Sequence, residues 1–168
     1  MRAQLYSIRG LPTGQVSIMA RPRGGDWLPD EIKALRSSGV DILVSLLTPH
    51  EVMELDLREE AEYCRRQGVI HLSLPIPDRG TPPFSERTLT FLELLHKQVF
   101  AGKHVAIHCR QGLGRAALIA ASALVLAGFS PDQAFELLSS VRGYPVPETD
   151  EQRAWVVAFS RSKGSLPD

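Results

Sequence analysis

The sequence predicts an α/β fold: a single-domain sandwich with a central, largely parallel, twisted sheet flanked by helices. Three observations carry this expectation. Short apolar runs at residues 16–19, 42–46, 69–74 and 104–108 have the length and composition of buried strands. Segments of helical period lie between and after them. The two types alternate along the chain, which gives parallel strands joined by helical crossovers. At 168 residues, with 43% hydrophobic and 23% charged residues, the chain buries a core without staples. One domain is expected over residues 1–168, its core at about residues 10–162 and a polar tail beyond.

The elements follow in order. After the first strand, residues 29–35 read as a helix with Leu28, Ile32 and Leu35 on one face, closed by Ser38-Gly39. Thr48, Pro49 and Glu51 open the next helix as N-cap, first position and third position. That helix runs towards Gln67-Gly68, with a break. In the strand at 69–74, Ile70, Leu72 and Leu74 alternate against His71 and Ser73, which sets the first three towards the core. Ser85 caps a helix reaching about Phe100. Helices at about 114–127, 131–141 and 148–160 complete the chain.

Charge and composition narrow the function. The formal net charge is zero, so no global field favours nucleic acid or an anionic membrane. The apolar stretch from Ala116 to Ala127 is too short to span a bilayer and reads as a core helix. The first seven residues lack the apolar run of a signal peptide. Cys64 and Cys109 give no disulfide framework, and a free thiol suits a reducing, cytoplasmic compartment. His50, His71, His96 and His104 show no metal-ligand spacing. Oligomeric state is not legible.

The chemistry is concentrated in His108-Cys109-Arg110-Gln111-Gly112-Leu113-Gly114-Arg115, between a strand and a helix. Such a loop turns successive backbone N–H groups into a concavity at a helix N-terminus, a ready anion site. The same field favours a thiolate. Five residues separate Cys109 from Arg115, enough to wrap one tetrahedral oxyanion and return a guanidinium to it as a two-donor clamp. Gly112 and Gly114 allow close backbone approach. Nucleophile, cradle and clamp together make a phosphoryl-transfer site. Asp78, between Pro77 and Arg79-Gly80, reads either as a mobile acid or as a turn residue.

The motif H-C-x-x-G-x-x-R resembles the signature of the cysteine-dependent protein tyrosine phosphatases, and the small size resembles their dual-specificity branch. Residues 74–82 are similar to the general-acid loop of the cyclin-dependent-kinase-associated phosphatases, and residues 131–134 and 148–152 to their C-terminal helices. The resemblance implies a protein tyrosine phosphatase-like fold and a phosphorylated protein substrate. It implies Cys109 as nucleophile, Arg115 as phosphate clamp and Asp78 as general acid, with Arg110, Gln111, Gly112, Leu113 and Gly114 forming the phosphate loop. No metal or cofactor is called for. The resemblance makes His108 a supporting residue that orders the loop and helps keep the thiol ionised; otherwise it is a strand-end histidine with no role. Gln152 matches a glutamine that orients the hydrolytic water; otherwise it lies on an exposed helix face. Arg79 and Arg110 attract an acidic substrate or are solvated surface residues. Cys64 is a redox partner of Cys109 or, more simply, a structural thiol.

One position departs from the family. Ser or Thr ordinarily follows the loop arginine, and here Ala116 does. That hydroxyl supports the sulfur as it leaves, so its absence bears on the second half-reaction. Alternatives are a phosphoinositide or small-metabolite phosphatase, a phosphate-binding module with weak turnover, and a sulfurtransferase of the rhodanese type. The loop lacks the paired lysines that resemble phosphoinositide enzymes.

Overall fold

Period-two alternation sorts the strand residues onto two faces, and this divides the core into two layers. The computed structural model describes residues 4–162, so nearly all of the expected polar tail lies outside the described residues. Five strands, β1 (Tyr6–Ser7), β2 (Gln15–Ala20), β3 (Ile42–Ser45), β4 (Ile70–Ser73) and β5 (His104–Cys109), form one sheet in the order β1-β2-β5-β3-β4. β2, β5, β3 and β4 are parallel; β1 pairs antiparallel with β2. β1 escapes sequence reading because two residues carry no alternation.

Val16, Ile18, Ile42, Val44, Val105 and Ile107 face the larger layer. It is built from α4 (Glu86–Phe100), α5 (Arg115–Leu126), α6 (Pro131–Arg142) and α7 (Asp150–Ser162). Met19, Leu43 and Ala106 face the smaller layer, with α1 (Leu28–Ser37) and α3 (Glu60–Arg66). α5 packs against β5 and against α4, α6 and α7, and every residue from Arg115 to Val125 is buried. A helix apolar on all sides belongs in the interior, so Ala-rich 116–127 is a core helix.

The segment expected as one broken helix is two: α2 (Pro49–Glu54) and α3. The interruption passes through Asp56 at φ 55. α2 starts with a capping box, in which Thr48 Oγ1 accepts from the Glu51 amide at 3.3 Å and Glu51 Oε1 accepts from the Thr48 amide at 3.1 Å. Alternation in β4 is a second correction. Ile70 is 55% exposed, not core-facing, because β4 is the sheet edge. His71 instead turns towards α3. The parallel strands end together at Ala20, Ser45, Ser73 and Cys109, and ligands of α/β sheets sit beyond such carboxyl ends.

Candidate active site

Cys109 is the last residue of the central strand, 3% exposed, with helix α5 starting six residues later. The loop between them bends back over the sulfur: the Gly112 amide donates to Cys109 Sγ at 3.3 Å. Gly112 stands at φ 74, and a Cβ there would lie 2.7 Å from the Met19 carbonyl carbon. Only glycine fits that turn. The Arg142 Nη2 group donates to the Gln111 carbonyl at 3.2 Å and ties the loop to α6.

Arg115 opens α5 and is 2% exposed. Its Nη1 donates to Glu51 Oε1 at 2.7 Å and to the Ile76 carbonyl at 2.9 Å. Its Nη2 donates to Glu51 Oε2 at 3.0 Å and to Asp78 Oδ1 at 3.2 Å. Glu51 therefore grips the guanidinium with both oxygens and fixes its plane. Burial alone would raise the Glu51 pKa. The hydrogen bond from Arg115, those from Thr48 and the arginine charge outweigh it and hold the carboxyl at about 2. Nε of Arg115 has no protein partner among the described residues. Nε–H, with the Nη2–H now shared with Asp78, forms the fork left for an oxyanion.

Asp78, Arg79, Cys109, Arg110, Gln111, Leu113, Gly114, Arg115 and Glu148 line one pocket. The structure thus brings Cys109, Arg115 and Asp78 together across residues far apart in the chain. The Asp78 side chain is 61% exposed and open to an incoming substrate. Arg110 turns away to α2, 3.0 Å from Glu54 and 3.6 Å from Glu51. Arg79 stands 3.5 Å from Glu148 at the pocket rim.

His108 is fully buried. Its Nδ1 lies 3.4 Å from the Cys109 carbonyl oxygen and its Nε2 3.0 Å from Glu60. Gln152 is not on an exposed face: it is fully buried where α7 meets the site. Its Nε2 donates to the Gly80 carbonyl at 3.1 Å, and its Oε1 accepts from the Thr149 amide at 3.2 Å. A Cβ at Gly114 would lie 2.8 Å from either amide atom. The glutamine is therefore a brace between the loop at residues 108–115 and the loop at residues 74–82. Cys64 belongs to the smaller core layer and Cys109 to the larger, so the two thiols do not form a pair. Burial, with the nearby Glu60 charge, pushes the Cys64 thiol up to about 12. Ala116, which follows the arginine in α5, is fully buried.

Sequence reading missed two site residues. Glu51 was visible only as the third residue of a capping box; nothing local says that its second oxygen reaches Arg115. Glu60 looks like any charge in an acidic run, Glu59-Glu60-Ala61-Glu62.

A thiol beneath a backbone amide, a braced arginine and an aspartate across the pocket define the site class of the cysteine-dependent phosphatases. Residues 17–129 match the family Tc-R-P, described as a polymorphic toxin system DSP-PTPase phosphatase, and the chain belongs to that family. Over 131 residues it is 29% identical to cyclin-dependent kinase inhibitor 3 of Rattus norvegicus, covering 77% of this chain and 61% of that protein. The chain thus spans less than two thirds of the curated relatives it matches first. The crystal structure of kinase associated phosphatase, with serine at its catalytic cysteine, superposes with a TM-score of 0.87 at 21% identity over 99% of both chains, a likeness of fold. Tk-PTP in its active form gives 0.74 at 26% identity, covering 94% of this chain and 96% of that one.

Proposed function

We propose that this chain is a phosphoprotein phosphatase, of tyrosine or dual specificity, that hydrolyses phosphomonoesters through a phosphocysteine. The observation that carries this reading is the single pocket shared by Cys109, Arg115 and Asp78. Phosphate enters beneath the loop amides, and Arg115 holds two of its oxygens through Nε–H and Nη2–H. The Cys109 thiolate attacks phosphorus. The S–P bond forms as the ester P–O bond breaks, and protonated Asp78 gives its proton to the departing oxygen. Asp78, now a carboxylate, takes a proton from water as that water attacks phosphorus. The P–S bond breaks, inorganic phosphate leaves and the thiolate is restored. The loop amides and Arg115 meet the charge on the equatorial oxygens in both steps.

The names of the relatives, a kinase inhibitor and a kinase associated phosphatase, support a phosphorylated protein as substrate class. A free nucleophilic thiol supports a cytoplasmic setting. The test is one preparation assayed against phosphotyrosine, phosphothreonine and phosphoserine peptides, phosphoinositides, small phosphorylated metabolites, and thiosulfate with cyanide. Phosphopeptides should give the highest kcat/KM. Preference for a lipid or metabolite would replace the substrate assignment, and thiocyanate formation would replace the reaction.

A further inference from the structure

One peptide unit of the loop at residues 108–115 is held at both ends. Its N–H belongs to Gly112 and donates to Cys109 Sγ at 3.3 Å. Its carbonyl belongs to Gln111 and accepts from Arg142 Nη2 at 3.2 Å. A trans peptide is planar, so its C=O and N–H point in opposite directions. Whatever fixes the carbonyl therefore aims the amide.

The flanking backbone is fixed in other ways. The Arg110 carbonyl accepts from the Arg21 amide at 3.3 Å, which continues the pairing of β2 with β5. Gly112 is pressed against β2, where a Cβ would lie 2.7 Å from the Met19 carbonyl carbon and 2.9 Å from the Ala20 nitrogen. The plane between Gln111 and Gly112 has no such restraint of its own. It can turn over by opposite changes in ψ of residue 111 and φ of residue 112, and glycine accepts φ of either sign. Turned over, it would present a carbonyl oxygen to the sulfur and to a bound oxyanion in place of a donor.

Arg142 reaches Gln111 from the last turn of α6. Its guanidinium carbon lies 4.3 Å from the centroid of the Tyr6 ring. Tyr6 is the first residue of the edge strand β1, which packs against α6. The ring face attracts the cation and limits where it can stand. Arg142 Nε is buried with no hydrogen-bond partner among the described residues. An unpaired buried donor is unfavourable, so the side chain is held in place by its stacking and by its bond to the Gln111 carbonyl.

We propose that Arg142 is a positioning residue for oxyanion binding: held over Tyr6, it fixes the Gln111 carbonyl and so keeps the Gly112 N–H turned to the sulfur side of the loop, where the oxyanion binds. The role goes deeper into the phosphatase reading and rests on it.

The test has two readouts by proton–nitrogen NMR of labelled protein: hydrogen exchange of the Gly112 amide without ligand, and the dissociation constant for inorganic phosphate. Arg142→Met keeps an unbranched stem over Tyr6 and removes the donors. Gly112 exchange should rise, and phosphate should bind more weakly, each by about tenfold, the effect of losing one hydrogen bond to a charged group. Amides of β3 should keep their parent rates, whereas a merely structural role would speed them together with Gly112. Arg142→Lys, which restores a donor, should recover part of both changes. Tyr6→Leu should move both readouts in the same direction, and Tyr6→Phe, which keeps the ring face, should not. Parent-like Gly112 exchange or parent-like phosphate affinity in folded Arg142→Met would overturn the proposal. If Arg142→Met does not fold, the Tyr6 variants decide it, and equal values in Tyr6→Leu and Tyr6→Phe would overturn it. Unaltered protein that binds no phosphate would overturn the phosphatase reading itself, while Gly112 exchange tells separately whether Arg142 sets the plane.

Discussion

Glu51→Gln isolates the charge that braces the phosphate clamp. Glutamine keeps an oxygen for the Thr48 amide, so the capping box of α2 survives. What is lost is the anion facing both η-nitrogens of Arg115, at 2.7 and 3.0 Å, in a site where the arginine is 2% exposed. Removing one partner of a buried pair costs about 3–5 kcal/mol, because the other charge is left uncompensated. Glutamine still offers one acceptor, so the low end, about 3 kcal/mol, is expected. The assay is urea unfolding at neutral pH, repeated in saturating inorganic phosphate. The oxyanion supplies a negative charge to the same guanidinium, so the deficit should shrink when phosphate is bound. Turnover should fall at least tenfold, since the fork is no longer held in plane. A deficit below about 0.5 kcal/mol, typical of surface changes, would refute the reasoning. So would a deficit unchanged by phosphate.

Asp78→Asn should slow esters of poor leaving groups by roughly 10²–10⁴-fold and spare activated aryl phosphates; an equal loss across leaving groups would make Asp78 structural. Ala116 leaves the departing sulfur without a hydroxyl. Rapid mixing with an activated aryl phosphate should therefore show a phenol burst near one equivalent, and Ala116→Ser should raise the steady-state rate on the order of tenfold. Acid should destabilise the fold in a defined window. Glu51 and Glu60 are held at about 2 against an ordinary 4.5, so the unfolded chain binds more protons between those values. Their contribution is complete above about pH 4.5 and is lost as pH falls towards 2, and urea midpoints in that window should flatten in Glu51→Gln.

The strand–loop–helix turn at residues 108–115 was legible because its signals are local: strand end, glycines, cysteine and arginine lie within eight consecutive residues, and backbone geometry does the rest. The strand–helix alternation was legible for the same reason, as was the capping box at Thr48. What the sequence hid depends on contacts between distant segments. Glu51, in the first turn of α2, reaches Arg115 with both oxygens across 64 positions of sequence. Gln152 is polar on an amphipathic helix, which reads as an exposed face until the acid loop is seen lying on it. Ile70 was placed inward by alternation, but a strand at the sheet edge has a flank without a neighbour. Glu60 sits in a run of acids whose other members are solvated, and burial is not a local property.

The central claim is that phosphate passes through Cys109. The direct measurement is rapid quenching in acid during turnover of an aryl phosphate, followed by mass spectrometry of the peptide containing Cys109. The account predicts one phosphoryl group on Cys109, accumulating because its hydrolysis is slow. It also predicts that Cys109→Ser shows no turnover while still binding inorganic phosphate through the loop amides and Arg115. Undiminished turnover in Cys109→Ser, or a phosphoryl group found on another residue, would contradict it.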